Sequence, residues 1–294
     1  MPKSILVTGA NGQLGNELHG LSVLYADYKF TFIGRNELDL SNSEAIQTWF
    51  IDKTFDAIIN CAAYTAVDKA ESEQVLAGDI NTTAVEALAR IAKEKNSSLI
   101  HISTDYVFDG KNFKPYVETD STDPQGVYGQ TKLDGELAML QVNPANSIII
   151  RTSWVYSSFG NNFVKTMLRL GKEREELGVI YDQVGTPTSA KDLAQTILSI
   201  IQHPHLSTLP ATEIYHFSNE GVCSWYDFAK AIFELSDIHC TVKPIETKDY
   251  PTPAKRPHYS LLNKAKIKKT FDITIPYWKD SLQECLDVLK GTKL

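Results

Sequence analysis

Val7-Thr8-Gly9-Ala10-Asn11-Gly12-Gln13-Leu14-Gly15 is the stretch on which the fold turns. It overlaps Ser4-Ile5-Leu6-Val7-Thr8, an apolar run that reads as a buried strand, and it leads into a helical pattern. The glycine spacing is GxxGxxG, one residue wider than GxGxxG. Gly9 permits a tight turn, Gly12 lets backbone approach a pyrophosphate, and Gly15 lets the helix pack closely on the strand. The N–H groups opening that helix then face the phosphates. Flanked by strand and helix in this order, the turn reads as a dinucleotide site. Asn11, Gln13 and Leu14 join the three glycines as candidate cofactor contacts. No GxxxxGK[ST] occurs, so this is not a P-loop.

Outward from the turn, short apolar runs alternate with helical patterns. Phe30–Ile33, Ala57–Asn60, Ser98–Ser103 and Ser147–Arg151 read as further strands. Continuous apolar strands separated by helices indicate a parallel sheet covered on both faces. Between them, Val75–Lys95 is rich in Ala and Glu, and Tyr128–Gln141 carries Leu133, Leu137 and Leu140 on one expected apolar face. The alternation specifies an α/β, doubly wound, Rossmann-like parallel sheet. After about Arg151 the pattern changes: Asn161–Lys172, Ala190–Gln202, Trp225–Leu235 and Lys279–Leu289 look helical, and His203–Pro210 reads as a loop. We expect a cofactor-binding domain over 1–155 plus about 178–205. A smaller, partly interleaved substrate-binding domain takes about 156–177 and 206–294. The Pro-punctuated Tyr250–His258 reads either as a binding segment or as a surface linker.

Composition excludes several classes. The chain of 294 residues is 43% hydrophobic, ordinary for a folded protein, and has no apolar run of transmembrane length. The apolar run near its start is too short for a signal peptide. Cys61, Cys223, Cys240 and Cys285 form no CxxC, so neither a disulfide framework nor a zinc site is expected, and a reducing cytoplasm is the default. A net charge of -7 argues against a general nucleic-acid binder.

At the end of the second strand, an acid would favour NAD by bonding the ribose 2′-hydroxyl. Gly34-Arg35 stands there instead, and Arg35 can pair with a 2′-phosphate, which tilts the reading toward NADP(H). A solvated surface Arg is the alternative. Asp39-Leu40 can cradle the adenine, and the small residues of Asn60–Thr65 would let backbone pass the cofactor.

Tyr128-Gly129-Gln130-Thr131-Lys132 matches YxxxK, but so do Tyr25/Lys29 and Tyr226/Lys230. Position decides among them. Only Tyr128/Lys132 opens the helix after the fourth strand, which ends in Ser103-Thr104-Asp105 at the carboxyl edge where ligands bind. A phenol titrates near 10, and Lys132 is expected to lower the pKa of Tyr128. The pair would then exchange a proton with an alcohol or ketone while a nicotinamide exchanges hydride. The seven histidines show no HExxH, and GxSxG is absent. Trp154 is either a sugar platform or core.

The glycine turn, Ser103-Thr104-Asp105 and Tyr128/Lys132 together resemble the extended short-chain dehydrogenase/reductase family. Asn60–Glu71, Arg151–Tyr156, Gly160–Phe163, Asp182–Thr188 and the Tyr250–Pro257 segment extend the resemblance over essentially the whole chain. It implies NADPH- or NADH-dependent reduction of the C4 keto group of a nucleotide sugar, dTDP-4-dehydro-L-rhamnose, for polysaccharide synthesis. By the same resemblance Tyr128 is the proton donor, Lys132 holds the nicotinamide ribose, and Thr104 positions the keto oxygen. Thr104, Asp105 and Trp154 would contact the sugar nucleotide, and Ala63, Tyr64, Thr65, Asp39 and Leu40 the cofactor. Arg256 is a candidate for the substrate diphosphate. Some relatives dimerise through acidic residues around Mg²⁺. Lys191 and Asp192 occupy the region where a ligand would be sought, so no metal is assigned, and a homodimer stays open.

Three other readings compete. Another nucleotide-sugar 4-reductase or an epimerase would share this machinery. A dehydratase would carry Asp-Glu after Thr, whereas Tyr106 follows Asp105 here. A non-catalytic NADP-binding regulatory subunit would keep the fold and lose turnover.

Overall fold

A computed structural model describes residues 2–291. Six parallel strands form the central sheet: β1 (Lys3–Thr8), β2 (Tyr28–Ile33), β3 (Ala57–Asn60), β4 (Ser98–Thr104), β5 (Ile148–Thr152) and β6 (Glu213–His216), in the order β6-β5-β4-β3-β1-β2. The order reverses between β1 and β3. In open α/β sheets ligands bind outside the carboxyl ends of the strands at such a switch point. Five strands match the sequence reading to within a residue or two at either end. The sixth has no counterpart among the strands read from the sequence: β6 pairs in parallel with β5, from within the range expected for the substrate half.

Both faces of the sheet are covered. On one, Ile5, Val7, Ile59 and Ile100 meet α1 (Gln13–Ser22) and α6 (Ala190–Gln202) through Leu14, Leu18, Leu193 and Ile197. Ile267 and Phe271 of α8 (Ala265–Phe271) join this core, again from the C-terminal range. On the other face, Leu6, Ile58, Leu99 and Ile149 pack on α2 (Ser43–Phe50) and α3 (Ala84–Lys95). The run into α3 is interrupted by a π-helical turn, Asp79–Thr83. A separate apolar core joins α5 (Phe163–Glu173), α7 (Trp225–Ser236) and α9 (Trp278–Gly291) through Val164, Phe228, Ile232 and Leu282.

The helix α4 (Val127–Val142) departs from its expected amphipathic pattern. Leu133 is buried, but Leu137 is 54% exposed. Its buried face carries Lys132, Glu136 and Met139 instead. The reason lies across the interface, where β4 and β5 present Ser103 and Arg151. Ser103 Oγ donates to Glu136, and Arg151 Nη2 lies 2.6 Å from Glu136 Oε2. Buried charge is tolerable when it is paired and hydrogen-bonded, and here the sheet supplies the partners.

Candidate active site

The carboxyl ends of β1, β3 and β4 open into a cleft of about 980 Å³. The glycine turn forms one wall. Gly9 has φ +68°, a conformation that L side chains rarely adopt. A Cβ there would also lie 2.7 Å from the Ala62 amide nitrogen, so Gly9 closes the gap to the segment after β3 as well as making the turn. A Cβ on Gly15 would strike the Gly9 carbonyl and the Ala10 backbone, so its small size serves the turn itself more than the strand. Gly12 is the extended residue before α1, which leaves the first N–H groups of the helix facing the cleft. Asn11, Gln13 and Leu14 also line it. Asn162, which the sequence reading did not single out as a site residue, caps α5 and donates to Gln13 Oε1 at 2.8 Å.

Arg35, Asp39 and Leu40 border the same cleft, as do Ala63, Tyr64 and Thr65. Arg35 is exposed and faces Asp39 at 3.3 Å. Asp39 accepts from the Ser41 backbone N–H at 3.0 Å and from the Ser41 hydroxyl, and these bonds, with Arg35, hold its carboxyl below the usual range. The cleft therefore fits a dinucleotide in two respects: a backbone cradle that a Cβ would fill, and an exposed cation, Arg35, on its border.

At the other end Thr104, Asp105, Tyr128, Lys132 and Trp154 come together on the lining. Asp105 is buried, and burial pushes its carboxyl up to about 6, with the Thr104 and Ser260 hydroxyls opposing the rise; its Oδ1 accepts from Thr104 Oγ1 at 2.9 Å. Trp154 has φ +49°, unusual for a bulky residue, and stacks on Trp225 at 3.6 Å. Its indole thus borders the cleft and the second core at once.

The electrostatics of the Tyr/Lys pair correct the expectation. Burial pushes the Tyr128 phenol up to about 12, with the Thr104 hydroxyl opposing and Asp105 adding to the rise. Lys132 does not offset that rise; its Nζ donates to the Ile102 carbonyl at 2.6 Å and lies 3.2 Å from His101 Nε2. Burial lowers Lys132 to about 8, and Glu136 acts against that. Tyr128 is therefore a protonated phenol across the neutral range, suited to giving up a proton rather than taking one.

Arg256 is not on the cleft lining. Its guanidinium makes a two-pronged pair with Asp68, at 2.7 and 3.1 Å, and donates to the Ala254 carbonyl. Lys191 pairs with Glu284, and Asp192 accepts from Asn219 and Ser281. Among the described residues no group of three or more His, Cys, Asp or Glu could hold a metal ion, and no helix is long and apolar enough to cross a membrane.

Comparison with known proteins places this arrangement in a known setting. Residues 3–290 match the family model described as RmlD substrate binding domain. The dTDP-4-dehydrorhamnose reductase of Aggregatibacter actinomycetemcomitans is 43% identical, over 95% of this chain and 97% of the relative. The solved structure of a dTDP-4-dehydrorhamnose reductase from Clostridium acetobutylicum superposes with a TM-score of 0.91 at 44% identity, covering 98% of this chain and 99% of the other. That of the Bacillus anthracis enzyme, in complex with NADP, gives 0.91 at 37% identity, over 98% and 100%.

Proposed function

The chain belongs to the RmlD substrate binding domain family, and from that premise we propose that it reduces the C4 keto group of dTDP-4-dehydro-L-rhamnose with NADPH, giving dTDP-L-rhamnose. The observation that carries the reading is the gathering of Thr104, Tyr128 and Lys132 on the wall of one cleft whose opposite wall is the glycine turn. When bound, the reduced nicotinamide supplies the hydride. The glycine turn and the start of α1 hold the pyrophosphate. Lys132 holds the nicotinamide ribose, and the Thr104 hydroxyl positions the keto oxygen. Tyr128 donates its phenolic proton to that oxygen as carbonyl becomes alcohol. Asp105 and Trp154 receive the sugar. Arg256 reaches the diphosphate only by exchanging Asp68 for it, which a doubly charged ligand favours. The free thiols of Cys61, Cys223, Cys240 and Cys285 support a reducing, cytoplasmic setting. The direct test is NADPH oxidation against a panel of dTDP-4-keto-6-deoxy sugars with product identification by NMR. Oxidation with none of them would defeat the reading.

Two further outcomes follow from the geometry. Arg35→Ala is expected to raise KM for NADPH about tenfold, the worth of one charge-assisted bond of about 1.5 kcal/mol, and to leave NADH nearly unaffected. Only NADPH offers a 2′-phosphate to displace Asp39 from the guanidinium. Equal losses for the two cofactors would remove Arg35 from this role.

The second outcome concerns pH. Burial pushes Asp105 up to about 6, and its carboxylate accepts a sugar hydroxyl more strongly than its neutral acid does. KM for the sugar nucleotide should therefore rise as pH falls through about 6. Asp105→Asn keeps an amide oxygen and should flatten that step. A step surviving in the variant would assign it to another group.

A further inference from the structure

Thr8, Asn60 and His101 are register partners on β1, β3 and β4. Register partners in parallel strands project to the same face, so three polar side chains form a row across the carboxyl end of the sheet. The row is dry, with Thr8 and Asn60 each 1% exposed and His101 0%. Thr8 Oγ1 lies 2.7 Å from Asn60 Oδ1, Asn60 Nδ2 is 3.0 Å from His101 Nδ1, and His101 Nε2 is 3.2 Å from Lys132 Nζ. The row thus runs from the glycine turn to the lysine.

Proton counting decides how it is wired. A neutral imidazole has one N–H and one bare nitrogen, and an ammonium only donates. Beside a charged Lys132, Nε2 must therefore be bare and the proton must sit on Nδ1. That N–H needs an acceptor, which Asn60 provides when its amide is turned so that oxygen faces the ring; the two ends of the amide have nearly the same shape. The amide nitrogen then faces Thr8 Oγ1, which accepts. The opposite wiring, with Asn60 donating to Nδ1, leaves an N–H on Nε2 aimed at Lys132 and requires a neutral amine. Burial and the Lys132 charge both hold His101 well below the ordinary imidazole range, so the ring is neutral. The Ile102 carbonyl takes a second N–H of the ammonium, which leaves the third for the cleft that Lys132 lines.

We infer that His101 is a positioning residue: held by Asn60 as the Nδ1–H tautomer, it presents a bare Nε2 to Lys132 and keeps that side chain an ammonium with one N–H aimed into the cofactor cleft. What Lys132 does there rests on the proposed reductase reading; where the protons sit rests on the hydrogen-bond geometry. The other ionisable groups around Lys132 are Glu136 and Tyr128 on its own helix, Asp105 after β4, and Arg151 of β5, which is paired to Glu136.

¹⁵N NMR of the histidine-labelled full chain, with and without NADP⁺, tests the wiring. The expected result is a His101 ring protonated on Nδ1 and bare on Nε2, unchanged from neutral pH down to about 5. A proton on Nε2, or an imidazolium at neutral pH, overturns the inference. Two variants separate positioning from packing. His101→Asn keeps an amide near Asn60 but removes the acceptor at the Nε2 position, whereas His101→Gln places an amide oxygen there. Loss of the acceptor destabilises the ammonium, so the alkaline midpoint of kcat should fall by about one pH unit in His101→Asn, a tenfold drop in ammonium above the midpoint. KM for NADPH should rise with it, and His101→Gln should recover most of both. Profiles identical to wild type in both variants overturn the inference, as does equal loss in both with intact folding. If the wild-type chain turns over no keto sugar, the reductase reading falls, and the tautomer alone then decides whether His101 holds an ammonium.

Discussion

Tyr128→Phe is expected to lower kcat by about 10²–10⁴, the usual worth of positioned general acid catalysis, while leaving NADPH affinity near wild type. The substitution keeps the ring, including its edge-on contact with Tyr106 at 5.4 Å, and removes only the transferable proton. Because burial pushes the phenol up to about 12, no fall in activity from its ionisation is expected at neutral pH. The alkaline limb should instead follow Lys132, lowered by burial to about 8. The two decoy motifs are internal controls. Tyr25 packs against the sheet core, and Tyr226 sits on α7 beside a shallow depression that shares no lining residue with the cleft. Tyr25→Phe and Tyr226→Phe should leave kcat nearly unchanged. A folded, NADPH-binding Tyr128→Phe that retains most of its turnover, with chemistry limiting the rate, would disprove the assignment.

The largest effect on stability is expected from Glu136→Gln. Arg151 and Glu136 are 3% and 1% exposed, and Arg151 makes three contacts to the carboxylate between 2.6 and 3.1 Å. The guanidinium also lies over the Phe108 ring, and its Nη1 has no hydrogen-bond partner. Removing the carboxylate charge leaves this cation buried and uncompensated, at a cost of about 3–5 kcal/mol. Replacing both partners, Glu136→Leu with Arg151→Met, should cost far less, because the desolvation penalty of both ions disappears with their attraction. Urea unfolding of the single and double variants measures both quantities. A single-variant loss below about 1 kcal/mol would place the pair among weakly coupled surface ions. The same substitution removes the group that holds Lys132 up, so the alkaline limb of Glu136→Gln should also move to lower pH.

Local pattern carried the sequence reading a long way. Strands buried on both faces announce themselves as unbroken apolar runs, so β1 to β5 were legible. The glycine turn was legible because its residues meet constraints within a few positions of one another, and the switch point then brought Arg35, Thr104, Tyr128 and Trp154 to one cleft. The choice of Tyr128/Lys132 over two decoys needed only the order of elements along the chain. What lay beyond the sequence depends on partners brought from far away. β6 is an edge strand whose assignment rests on pairing with β5, more than sixty residues earlier. Lys132 and Glu136 lie on the buried side of α4 in place of Leu137, because His101, Ser103 and Arg151 hydrogen-bond or pair with them across the sheet. The pKa of Tyr128 rises rather than falls because the folded chain buries the phenol beside Asp105. Arg256, free in the sequence, is held by Asp68 from the other half of the chain. Hydrophobic periodicity records how a segment meets water, whereas the burial of a charge is decided by the particular group that meets it, and only the tertiary structure brings that group into place.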